Sequence, residues 1–152
     1  MTSPVIRIAA SADAPALAAL RRTWTAEQHG TVGDPGFEAR FLDWYERESA
    51  RRFSWLAELG GELVGMVNMA VFDRMPQPGR EPGSWGYLAN AFVLADYRNQ
   101  GIGSLLLGAL LDHADSHGYV RVVLSPSERS VPFYQRAGFT QGTELMVRRR
   151  AR

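Results

Sequence analysis

Three observations predict an α/β fold, a single domain over residues 1–152 with a mixed central sheet flanked by helices. Residues 85–124 read as strand, glycine-bearing turn, helix and strand, a unit that sets two strands parallel. Residues 53–59 and 63–72 are β-like runs on either side of Gly60-Gly61, a turn dipeptide that makes them an antiparallel hairpin. No internal repeat, low-complexity tract or long linker divides the chain.

The elements follow in order. Residues 5–9 alternate apolar side chains with Arg7 and read as a first strand, after which Ser11 or Asp13 caps an Ala-rich helix through Trp24. Residues 29–36 break the pattern. A second helix over 37–49 sets Phe37, Phe41, Trp44 and Tyr45 on one face. The hairpin comes next, then a loop over 73–83 that contains Pro76, Pro78 and Pro82. Residues 85–94 form a strand, 104–117 a helix ending before Gly118, and 120–124 a short apolar strand. Residues 131–137 make a short helix closed by Gly138, and 139–147 supply one or two final strands.

Composition removes several chemistries. The chain has no cysteine, so no disulfide, thiolate nucleophile or thiolate metal ligand is available. All 17 basic side chains are arginine. A phosphate loop with its lysine, a pyridoxal phosphate enzyme and a Schiff-base aldolase are therefore excluded. Net charge is +1, which gives no electrostatic case for nucleic acid or a membrane surface as partner. Arg148, Arg149, Arg150 and Arg152 form a basic end that reads as a solvated terminus. No run approaches the roughly 18 apolar residues of a membrane span, and the expected location is the cytoplasm.

The segment Gln100-Gly101-Ile102-Gly103-Ser104 lies between a strand and a helix, where free backbone amides face an anion. Arg98 adds a cation suited to phosphate. A dinucleotide fingerprint fails, because the position that needs a small residue holds Leu106. His113 and His117 stand four apart on a helix, but Ala114 replaces the glutamate of the zinc motif and no third ligand is evident, so no metal is expected. Residues 82–86 put glycine directly before Ser84, out of register with a nucleophile elbow.

Two segments, Val93-Leu94-Ala95-Asp96-Tyr97-Arg98-Asn99-Gln100-Gly101-Ile102-Gly103 and Val131-Pro132-Phe133-Tyr134-Gln135-Arg136-Ala137-Gly138-Phe139, together resemble the GNAT superfamily of acetyl-CoA-dependent N-acetyltransferases. The first matches the family's strand and [QR]-x-x-G-x-[GA] turn, the second its tyrosine-bearing helix. The resemblance implies that acetyl-CoA is the co-substrate and a small-molecule amine the acceptor. It implies that the amides of Asn99, Gln100, Gly101, Ile102, Gly103 and Ser104 hold the pyrophosphate, flanked by Arg98. Backbone groups of Phe92 and Val93 would pair with the pantetheine arm, and one amide there would polarise the thioester carbonyl. Tyr134 would protonate the departing thiolate. Where the family often has an asparagine that bonds pantetheine, this chain has Ser127, and Asn90 is expected to face the acceptor.

With neither cysteine nor lysine, direct attack in a ternary complex is expected. Glu27, His29, Asp73 and Glu128 are candidate bases by type alone. Loops 29–36 and 73–83 and the final strands would select the acceptor, and Trp24, Phe37, Trp44, Trp85 and Tyr87 would line an apolar pocket. The rival readings are a non-catalytic acyl-CoA-binding sensor or docking domain and a protein N-acetyltransferase. A homodimer is the working expectation for the oligomeric state.

Overall fold

Four antiparallel strands and one parallel strand make a sheet in simple sequence order. The computed structural model describes residues 2–152. The strands are β1 (Val5–Ile8), β2 (Arg52–Leu59), β3 (Glu62–Asp73), β4 (Ser84–Val93) and β5 (Val122–Val123). The helices are α1 (Ala14–His29), α2 (Phe37–Glu48), α3 (Ile102–Ser116) and α4 (Val131–Arg136). β4 and β5 are the parallel pair, so the sheet is mixed, as the strand-helix-strand unit predicts.

The first helix runs past Trp24 to His29 because residues 25–29 include no helix breaker before Gly30. Its cap differs from expectation. Asp13 stands at the cap position without bonding the helix; its carboxylate accepts from Arg7 at 2.8 Å and from the Ala10 amide at 2.7 Å. Ser11 opens a short 3-10 turn instead.

Each face of the sheet carries its own core. α3 covers one face, where Leu106, Leu107 and Leu110 meet Trp55, Val67, Met69 and Leu88. α1 covers the other with Leu17 and Leu20 against Leu56, Met66 and Phe92. Strand alternation sorts neighbours such as Leu56 and Trp55, or Met66 and Val67, to opposite faces. Gly86 is required by packing, since a Cβ there would run into the Met69 side chain.

Two residues on β4, Asn90 and Ala91, lie opposite the single residue Val67 on β3, because Met66 pairs with Phe92 while Asn68 pairs with Ala89. This bulge holds Asn90 at φ 55, in the left-handed region that asparagine tolerates better than most residues. It also shifts the alternation. Leu88 faces α3, yet Phe92, four residues on, faces α1.

The expected strands over 139–147 do not form. Phe139 closes α4, its amide donating to Tyr134 O at 3.1 Å, and the chain beyond it has no strand. Leu145, Met146 and Val147 are consecutive apolar residues, so no clean alternation gives a strand one buried face, and β5 is only two residues long. All three are exposed. Among the described residues no helix is long and apolar enough to cross a membrane.

Candidate active site

β5 ends at Val123, paired with Tyr87, while β4 continues to Val93 without a partner on that side. The strands therefore part, and the opening is a cleft of about 480 Å³. Leu94 N donates to Val64 O at 2.9 Å, and backbone groups alternate sides along a strand, so Phe92 also turns its amide and carbonyl toward β3. Ala91 and Val93 turn theirs to the open edge. Phe92 lines the cleft but turns its own backbone groups to β3, against the expectation that they face the pantetheine arm; Ala91, absent from the sequence reading, has its backbone groups at the open edge beside those of Val93.

Downstream of β4 the chain makes a 3-10 turn over Ala95–Tyr97 and enters α3 through two left-handed residues, Asn99 at φ 62 and Gly101 at φ 83. The amides of Asn99, Gln100 and Gly101 donate to no backbone carbonyl. With the first amides of α3 they form a set of donors at a helix N-terminus, a ready anion site. Asn99, Gly101, Ile102, Gly103 and Ser104 line the cleft. The Gln100 side chain does not; its Nε2 folds back to donate to Asp96 O at 3.3 Å.

Arg98 lines the same mouth and is already held on two sides. Its Nε donates to Val93 O at 2.8 Å and its Nη1 lies 2.7 Å from Glu27 Oε1. Arg136 adds a second cation on the cleft wall that the sequence reading passed over, although it stands within the tyrosine-bearing motif.

Tyr134 lines the cleft from α4, its ring edge-on to Phe133 at 5.1 Å and to Phe139 at 5.7 Å. Burial pushes its phenol above the ordinary value, so it stays protonated through the neutral range. Ser127 does not reach the cleft. Its hydroxyl donates to Ser130 Oγ at 3.0 Å and accepts from Ser130 N at 3.3 Å, which caps the short 3-10 turn before α4, and Ser130 lines the cleft instead.

A second cavity of about 220 Å³ opens between α1, α2 and the sheet. It shares Met66 and Val67 with the cleft, so the two meet beside the β4 bulge. Asn90 lines it and accepts from Asn68 Nδ2 at 2.9 Å. Phe37 and Trp44 line it as expected, with Phe41 and Tyr45 from the same helix face. Trp24 lies below, stacked on Phe92, whereas Trp85 stacks on Phe72 and the Tyr87 hydroxyl meets Ser125, both away from this cavity. Neither loop lines it. The 73–83 loop is tied off by Arg74 N bonding Gly83 O at the distant end of β3 and β4, and 29–36 borders a separate hollow with Arg22. None of Glu27, His29, Asp73 and Glu128 lines either cavity, since Glu27 holds Arg98 and Asp73 accepts from Ser84 Oγ.

Residues 17–139 match the Acetyltransferase (GNAT) family. A glucosamine 6-phosphate N-acetyltransferase from Trypanosoma brucei brucei is 32% identical over 79 residues, 52% of each chain, so the chain spans about half the length of the curated relative it matches. Two solved structures share the fold at low identity. A predicted acetyltransferase from Clostridium acetobutylicum, solved with acetyl-CoA, superposes with a TM-score of 0.77 at 19% identity, covering 97% of this chain and 96% of that one. A glucosamine-6-phosphate N-acetyltransferase from Arabidopsis thaliana gives 0.74 at 18% identity, covering 97% and 98%.

Proposed function

The chain belongs to the acetyltransferase (GNAT) family, whose acetyl donor is acetyl-CoA, and on that premise we propose that it acetylates the primary amine of a small acceptor by direct attack in a ternary complex. The observation that carries this reading is the continuity of one cleft, from the free amides at the start of α3, along the open edge of β4, to Tyr134, with the second cavity meeting it at Met66 and Val67.

The residues present fit acetyl-CoA. The α3 amides, with Arg98 and Arg136 at the wall, suit a pyrophosphate. Val93 and Ala91 offer strand-edge amides, one of which would steady the oxyanion that forms when the amine attacks. Tyr134 would give its proton to the departing thiolate. No carboxylate or histidine lines either cavity among the described residues, so the acceptor ammonium would lose its proton to solvent.

The test is a thiol-release assay with purified protein, acetyl-CoA and a panel of small amines. The name of the Trypanosoma relative puts glucosamine 6-phosphate on that panel. Acceptor-dependent release with a matching acetylated product is expected. Acetyl-CoA binding without transfer to any amine would favour the sensor reading, and no binding at all would overturn the site.

A further inference from the structure

Arg21 projects from α1 into the second cavity, and its Nη1 is buried without a hydrogen-bond partner. Four other arginines on α1, α2, β2 and the cleft mouth each have a carboxylate, although Arg52 also keeps a buried Nε without a partner. Arg22 pairs with Glu38 at 2.6 Å, Arg40 with Asp34, Arg52 with Glu48 at 3.2 Å and Arg98 with Glu27 at 2.7 Å. Among the described residues Arg21 has no such carboxylate.

Its guanidinium lies 4.1 Å from the centroid of the Trp24 ring, which fixes the plane but satisfies none of the N–H groups. Burial works against the charge, drawing its pKa below the usual arginine value, yet arginine keeps its proton in proteins. Arg21 is partly buried, and its covered Nη1, which no protein group satisfies, gains from an anion that meets it in the cavity.

The rest of the cavity agrees. Asn68 is engaged at both ends, its Oδ1 accepting from Arg52 at 2.9 Å and its Nδ2 donating to Asn90 Oδ1 at 2.9 Å. The Asn90 amide nitrogen is left as a second donor at the wall. No carboxylate or histidine lines the cavity, and Phe37, Phe41 and Trp44, tilted against one another, give it an apolar side.

Resting on the acetyltransferase reading, we infer that the acceptor is an anionic amine: its carboxylate or phosphate pairs with Arg21, its body lies against Phe37, Phe41 and Trp44, and its amine reaches the cleft at Val67. The volume of about 220 Å³ suits an acceptor group of small-molecule size.

The experiment compares amines matched in body but not in charge, with rates expressed per free amine to remove differences in amine pKa. Phenylalanine against 2-phenylethylamine is the carboxylate arm, and 2-aminoethyl phosphate against ethanolamine is the phosphate arm. In at least one arm the anionic member should win by about 10- to 100-fold in kcat/KM, the usual worth of a hydrogen bond to a charged group. The arm that shows it identifies the anion.

Arg21→Met keeps the apolar stem and should erase that preference, mainly through KM, while Arg21→Lys should restore part of it. Neutral members matching or beating anionic ones in both arms of the native enzyme would overturn the inference and leave the acetyltransferase reading standing. So would a preference that survives in a folded Arg21→Met. Should no amine be turned over, calorimetry with phenylalanine and 2-aminoethyl phosphate decides it: binding lost in Arg21→Met supports the anion site, and no binding of either probe to the native protein sinks it.

Discussion

The rings of Trp24 and Phe92 lie 5.4 Å apart and within 12° of parallel. The stack stands between a residue of each cavity, for Arg21 sits over Trp24 and Arg98 lies 5.4 Å from the Phe92 ring. It exists because the β4 bulge turns Phe92 from the α3 face to the α1 face. Trp24→Ala should destabilise the fold by about 2–3 kcal/mol, somewhat below the range for a fully buried tryptophan, with Trp24→Phe recovering most of it. Urea unfolding measures this, and a loss under about 0.5 kcal/mol would mean that the stack does not hold Phe92.

Gly103→Glu should remove acetyl-CoA binding. A Cβ at this position would lie 3.6 Å from Phe133 Cζ, an ordinary contact, so the fold accepts a side chain and the effect reports the bulk and negative charge added beside the α3 amides. Calorimetry on the folded variant decides it; affinity equal to the parent would move the diphosphate elsewhere.

Local chemistry along the chain points to residues that line the candidate cleft, whereas features that depend on tertiary pairing leave little trace in the sequence. The turn at 98–104 was legible because a strand, two glycines and a helix start are contiguous, and Tyr134 because its motif is contiguous too. The bulge was not read, although its one local signal was present: Asn90, a residue disfavoured in strands, inside an apolar run. Without the bulge, strand alternation would turn the backbone groups of Phe92, and not those of Ala91, to the open edge. Ser127 stands where the family often has an asparagine, but its hydroxyl has a nearer partner in Ser130. Arg21 gave no signal at all, since an arginine on a helix reads as solvated until the neighbours that lack a carboxylate are known. The final strands failed because a strand needs an edge to pair with, and nothing in residues 139–147 reports how short β5 is.

Tyr134→Phe should lower kcat by about 10²- to 10⁴-fold with little change in acetyl-CoA affinity, the scale for removing a positioned general acid. The pH profile follows from the same group. A phenol pushed above its ordinary value of about 10 loses its proton, and with it activity, only above that pH. The rising limb belongs to the acceptor ammonium, because no carboxylate or histidine lines either cavity. It should therefore move when the acceptor is changed for one with a different amine pKa. A rising limb near pH 6.5 that ignores the acceptor would reveal an enzyme base of the histidine class.

Both substrates should be bound before chemistry begins. The chain has no cysteine or lysine to carry acetyl covalently, and the hydroxyls of Ser104 and Ser130 on the cleft wall have no lining histidine or carboxylate to activate them. The cleft and the aromatic cavity meet at Met66 and Val67, which allows donor and acceptor to occupy opposite ends at once. Initial-rate plots at several fixed acceptor concentrations should then intersect. A covalent intermediate would give parallel lines instead, and protein incubated with acetyl-CoA alone would yield a peptide acetylated at one of those serines. That pair of results would replace direct attack with a two-step transfer, while the α3 amides and the open edge of β4 kept their part in holding the donor.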